Sequence, residues 1–287
     1  MVCFPLSDNI RGGLTLRIVE TTIFTIEPDD NCLNIIDADY KDEYGLVLVQ
    51  KRHNKFELSV NGTTLYPRLK INYPFVRWID YKHFLIMNPR TKGEKHNLFI
   101  MNIDGEVRRS FCCGDAVQDI AVSKEGIWCS YFDEGVFGEG ISTEGLVLFD
   151  NTGSPAFQYH SHLPEAPSIA DCYAICRGEN KTLWLYPYTD FELIQINPEK
   201  NSFTVHQTPE TLHGSQAISI RGEYSYFYSP YNKGGTLYSW KAGESSVKKI
   251  GKLSGTLRGL DTRQKAHFIG IEEKNIKVYT IMNPKEY

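Results

Sequence analysis

A chain of 287 residues with 41% hydrophobic content can bury a core without disulfide staples, and its formal charge of −4 excludes a general binder of phosphate backbones, which needs a basic face. The opening Met1, Val2, Cys3, Phe4, Pro5 has no basic region followed by an apolar run, and no later stretch approaches membrane-spanning length, so a soluble cytoplasmic protein is expected. Seven cysteines without a Cys-x-x-Cys pair predict reduced thiols, and adjacent Cys112 and Cys113 should divide between surface and core.

In chain order, the first element is a strand-like stretch over residues 14–27 with no hairpin partner of its own. Short alternating runs rich in Val, Ile, Tyr, Phe and Trp then recur between Gly, Asn, Asp and Pro turns, whereas an apolar period of 3.6 is almost absent. First strands placed at Asn34, Phe75, Gln118, Asp171, Gln216 and Leu257 are 41, 43, 53, 45 and 41 residues apart, the spacing of four-stranded propeller blades. The sixth unit supplies three strands only, over 257–261, 267–272 and 276–282, and the unpartnered first stretch supplies the fourth. The chain is therefore predicted to be all-β, a single β-propeller over 1–287 with about six four-stranded blades, the last closed by the N-terminal strand. A β-sandwich is the alternative arrangement of short strands, and the absence of a repeated Trp-Asp dipeptide separates the chain from standard WD40 proteins.

Ligands of propellers meet the channel mouth, where innermost strands begin. Asn34, Arg77, Asp119, Asp171, Gln216 and Arg258 are predicted to ring that mouth. Asp119 and Asp171, with Asn34 as an amide, could hold a hard cation in the manner of metal-dependent lactonases, but Arg77 and Arg258 would oppose a cation unless each is paired. No metal or cofactor is therefore expected, and the plain alternative is a ring that solvates a water-filled channel.

The third unit is longer than its neighbours, mostly within residues 133–145. Asp133, Glu134, Glu139 and Glu144 lie there among glycines, with Val136, Phe137 and Ile141 as apolar contacts, an acidic arm suited to a basic protein surface. The plain alternative is a solvated loop with Phe137 tucked under the blade. Tyr188 and Tyr231, each following a proline, are expected to be exposed anchors, whereas Tyr224, Tyr226 and Tyr228 share one strand face and should be core. His160 and His162 are expected on a surface loop, and no Gly-x-Ser-x-Gly, His-Glu-x-x-His or cysteine-nucleophile signature is present.

Residues 131–141, continuing through Gly145 to Gly153, resemble poorly characterised bacterial propeller proteins, some of which look like immunity proteins encoded beside contact-dependent toxins. The resemblance implies a non-enzymatic cytoplasmic protein that binds and neutralises a basic toxin, such as a nuclease, without touching membrane or nucleic acid itself. It transfers no functional residue. The competing expectation is a metal-dependent, lactonase-like hydrolase or lyase at the channel mouth, and a scaffold or sugar-sensing propeller is a third.

Overall fold

The computed structural model describes residues 16–53, 55–231 and 234–282. Strand β1 (Arg17–Thr25) comes first, followed by six antiparallel meanders. Blade one is β2 (Leu33–Lys41), β3 (Gly45–Arg52), β4 (Lys55–Val60) and β5 (Thr63–Leu65). Blade two is β6 (Phe75–Trp78), β7 (His83–Met87), β8 (Leu98–Asn102) and β9 (Val107–Phe111). Blade three is β10 (Val117–Val122), β11 (Ile127–Tyr131), β12 (Leu146–Phe149) and β13 (Pro155–Gln158), with α1 (Asp133–Val136) before β12 and α2 (Tyr159–His162) after β13. Blade four is β14 (Asp171–Arg177), β15 (Leu183–Tyr188), β16 (Leu193–Asn197) and β17 (Ser202–His206). Blade five is β18 (Ala217–Arg221), β19 (Tyr224–Ser229), β20 (Thr236–Lys241) and β21 (Lys248–Lys252). Blade six contains β22 (Thr256–Gly259), β23 (Phe268–Ile271) and β24 (Asn275–Met282), and β1 completes it.

This is the six-bladed propeller that the repeat spacing predicts. β1 runs antiparallel to β24 from Arg17 opposite Met282 to Thr25 opposite Asn275, so the first described strand covers the edge of the last. Leu14 and Thr15, which the predicted strand includes, lie outside the described residues.

Alternating side chains of each blade meet those of the next, and the described core falls into six clusters, one at each blade junction. Leu85 and Met87 meet Ile127 and Tyr131 between blades two and three; Ala38 and Leu48 meet Ile269 and Val278 where blade six closes on blade one. Inner strands converge tightly around the axis. A Cβ on Gly259 of β22 would lie 1.8 Å from the carbonyl oxygen of Ile218 on β18, so only glycine permits this approach. The six described cysteines are unpaired, with Cys113 buried and Cys112 half-buried, and no described helix is long and apolar enough to cross a membrane.

Candidate binding face and channel

All six inner strands begin at one end of the ring. Three of them carry a β-bulge there, between Ile35 and Asp37 in β2, Val117 and Asp119 in β10, and Cys172 and Ala174 in β14. A bulge inserts one residue and re-aims its neighbours. The inserted Ile36, Gln118 and Tyr173 all line a mouth cavity of about 630 Å³, walled also by Phe75 and Leu257.

The bulge in β2 moves the blade-one polar position from its predicted place. Asn34 pairs with Lys51, is exposed and does not line the cavity; Asp37 does. Of the predicted ring, Arg77, Asp119, Gln216 and Arg258 line the mouth cavity, while Asn34 and Asp171 do not. The ligand set of the lactonase-like expectation is therefore not assembled, because Asp119 is bonded to Arg77 and its two proposed partners lie outside the cavity. Among the described residues, no group of three or more His, Cys, Asp or Glu side chains is arranged to hold a metal.

Below the mouth the channel narrows into buried ion pairs. Arg77 Nη1 donates to Asp37 Oδ2 at 2.5 Å and to the Val76 carbonyl at 2.7 Å, and its Nη2 donates to Asp119 Oδ1 at 3.1 Å. The Val76 and Trp78 amides donate to Asp37 Oδ2 and Asp39 Oδ2 at 2.8 and 2.9 Å. Arg258 Nη2 donates to Asp39 Oδ1 and the Ala38 carbonyl, both at 2.9 Å. Burial of these charges is tolerable because each has an opposite charge and further hydrogen bonds. Burial pushes the Asp39 carboxyl up, but Lys41, Arg258, Arg77 and the Trp78 amide together hold it below the usual range. For Asp119 the balance reverses: burial outweighs Arg77 and Arg258, and its pKa is raised. Deeper still, a void of about 20 Å³ beside Asp39, Asp119, Arg177 and Arg258 has room for about one water.

The acidic arm overlies the same end of the ring, joining β11 to β12, and it is anchored. Val136 is buried and Ile141 packs on the junction of blades two and three. Ser142 Oγ donates to the Asp115 carbonyl at 2.8 Å. Glu144 turns to blade three's own connection, accepting from the Ser161 amide at 2.9 Å and hydroxyl at 2.6 Å. The expected apolar contacts Val136 and Ile141 thus hold the arm to the core, and Glu144 is committed locally, whereas Asp133, Glu134, Phe137 and Glu139 face outward. Phe137 is 76% exposed, so it is not tucked under the blade.

Beside the arm, Asp171 is half-buried with Oδ1 unpartnered, and burial followed by the charges of Asp133 and Glu134 pushes its pKa up to about 6. Opposite Asp171 in the ladder stands Tyr188, 47% exposed, whose ring meets Phe191 edge-on at 5.3 Å and lies 5.7 Å from Tyr173. Tyr231, at the end of the strand from blade five, lines the cavity and is 76% exposed. Tyr226 and Tyr228 are core as predicted, but Tyr224 is partly exposed because it sits at the far hairpin end of β19, beyond the reach of blade six. His160 and His162 occupy the single helical turn α2 rather than a loop.

Sequence reasoning missed Asp37, Asp39, Ile36 and Tyr173. The alternation of Asp37 and Asp39 in an otherwise apolar strand was the available signal for the first two. No protein-family model matches the chain, and no curated protein matches it in sequence. Among solved structures, virginiamycin B lyase from Staphylococcus aureus superposes with a TM-score of 0.55 at 10% identity, covering 93% of this chain and 100% of the lyase. A chain of a nidogen/laminin complex gives 0.54 at 11% identity over 76% of this chain and 80% of its own. YCF48 bound to D1 peptide gives 0.53 at 10% identity over 93% and 97%. At these identities the likeness shows the propeller fold alone.

Proposed function

We propose that this propeller is a non-enzymatic protein-binding protein that meets its partner with the mouth face. The observation that carries the reading is topological: the anchored acidic arm and exposed Phe137, Tyr188 and Tyr231 come from blades three, four and five, yet all stand at the end where the inner strands begin. Exposed Ile36 and Tyr73, at the starts of blades one and two, extend the same rim. Rigid aromatic anchors beside acidic groups suit a basic protein surface, the rings supplying contact area and the charges steering encounter. Two of the structural neighbours are held with a peptide or a protein partner, which makes such use of the fold familiar.

The finer form of the reading is a cytoplasmic immunity protein that neutralises a basic toxin domain. Its support is the acidic arm and the resemblance over residues 131–153. Binding of the purified product of the adjacent coding sequence, measured by calorimetry at two salt concentrations, tests it. Replacing Asp133, Glu134 and Glu139 by Ala is expected to weaken binding about tenfold or more and to flatten its salt dependence. Unchanged affinity would remove the arm from the interface.

A second reading draws on Asp171, whose pKa of about 6 suits general acid or base work in a hydrolase or lyase. Turnover of lactone or glycan substrates that disappears in Asp171→Asn, with a pH profile turning near 6, would favour it over pure binding.

A further inference from the structure

Charged side chains of both signs line the mouth cavity with bonding capacity left unused. On blade six, Arg258 spends only Nη2 on Asp39 and Ala38; its buried Nε has no partner, and Nη1 carries no bond among the described residues. On blades one and three, Asp37 uses Oδ2 and Asp119 uses Oδ1, which leaves Asp37 Oδ1 and Asp119 Oδ2 without a bond among the described residues. Arg77 serves both of these carboxylates, so that side of the cavity holds one more negative charge than positive. No described ion pair joins Arg258 to Asp119 across the channel.

The signs of these spare groups select a ligand. A simple anion would satisfy Arg258 but meet the surplus charge of Asp37 and Asp119, with Glu273 at the lip. A simple cation would satisfy the carboxylates and leave the Arg258 donors dry, which costs their desolvation. A neutral molecule carrying both charges meets both needs. The volume of about 630 Å³ falls in the range of small-ligand sites, and Phe75, Tyr173 and Leu257 offer apolar contact.

We propose that the mouth cavity binds a small zwitterion of the amino-acid type, its carboxylate on the unused Nη1 of Arg258 and its ammonium against the free oxygens of Asp37 and Asp119. The side chain of the ligand lies on Phe75 and Tyr173. This goes beyond the partner-binding reading and does not depend on it.

The test uses the full chain and no partner. L-phenylalanine and L-leucine are titrated with the protein by calorimetry and by amide chemical shifts, beside N-acetyl-L-phenylalanine, which lacks the ammonium, and L-phenylalaninamide, which lacks the carboxylate. The free amino acids are expected to bind, and each blocked form to bind at least about tenfold more weakly, because each loses a charge-assisted set of hydrogen bonds. Thr256→Trp, which fills the cavity from its exposed wall without touching the ion pairs, is expected to abolish binding while melting as the wild type does. Arg258→Gln is expected to lose the preference for phenylalanine over its amide; because it also strips Asp39 of its cation, its melting is recorded alongside. Absence of binding by both free amino acids, equal binding by either blocked form, or undiminished binding by Thr256→Trp would overturn the proposal. Rim substitutions such as Phe137→Ala leave the cavity intact, so their effect on a protein partner is read separately.

Discussion

The two ends of the channel are made by the same six inner strands and are built differently. At the mouth, three strands bulge, the cavity is about 630 Å³, and aromatic side chains stand exposed around it. At the opposite end the described inner strands have no bulge, the cavity is about 330 Å³, and paired charges line it, with Lys41 Nζ donating to Asp261 Oδ2 at 2.9 Å. Exposed apolar residues at that end, Tyr81, Ile103, Val107 and Tyr224, sit on hairpin turns and outer strands rather than around the channel. The opposite end satisfies its charges in pairs, and the mouth keeps rings and polar groups available. Regular strand geometry therefore marks the end lined by paired charges, and bulged geometry marks the wider mouth.

The largest expected effect comes from the closure on which both ends depend. Deleting residues 1–28 removes β1 and bares the edge of β24. The melting temperature is expected to fall by about 10 °C or more, or folding to fail, as calorimetry will show. Next in size, Arg77→Met leaves Asp37 and Asp119 without their shared cation and is expected to cost about 3–5 kcal/mol in denaturant unfolding. Lys41→Met at the opposite end is expected to cost less, about 1–2 kcal/mol, because the less buried lysine leaves Asp261 close to Arg263.

The ends should also respond to pH with opposite signs. Asp171, at the mouth, has its folded pKa raised to about 6, so its stabilising contribution is full below the unfolded value and is lost as pH rises through about 6. Asp171→Asn is expected to stabilise the protein at pH 7 by about 1 kcal/mol, after allowance for solvent screening, and not at all near pH 4. Asp261 has its folded pKa lowered to about 2, against burial, by Lys41, the Arg263 amide and Arg177. Its contribution is present above the unfolded value and is lost as pH falls towards 2, so Asp261→Asn should destabilise at pH 7 and progressively less below pH 4. The smallest expected effect is that of Phe137→Ala on stability, within about 0.5 kcal/mol, since the ring touches solvent.

This division between ends also explains what could be read from the sequence. Ring closure was legible because the sixth unit lacks a strand and residues 14–27 supply one. Trp128, Leu148 and Phe157, one on each of β11, β12 and β13, stand in a row across the blade on its junction face. Register at the mouth was not legible. A bulge breaks alternation without leaving a signature in a run such as Ile35-Ile36-Asp37, so Asn34 was placed where Asp37 stands. Arg77 and Arg258, from strands without a bulge, and Gln216, just before the unbulged β18, line the mouth cavity, and so does Asp119, which directly follows the inserted Gln118 in β10. In the arm, the apolar residues could be seen but not their direction: Val136 and Ile141 point to the core and Phe137 to solvent, a choice set by packing on blades two and three.

The direct test of the mouth face as the binding face is a comparison of two surface variants for affinity to the purified product of the adjacent coding sequence. One carries Phe137→Ala, Tyr188→Ala and Tyr231→Ala; the other carries Tyr81→Ala and Val107→Ala at the opposite end. The mouth-face variant is expected to lose about 100-fold or more in affinity and the other to stay within about threefold. Equal loss in both, or loss only in the opposite-end variant, would contradict the account.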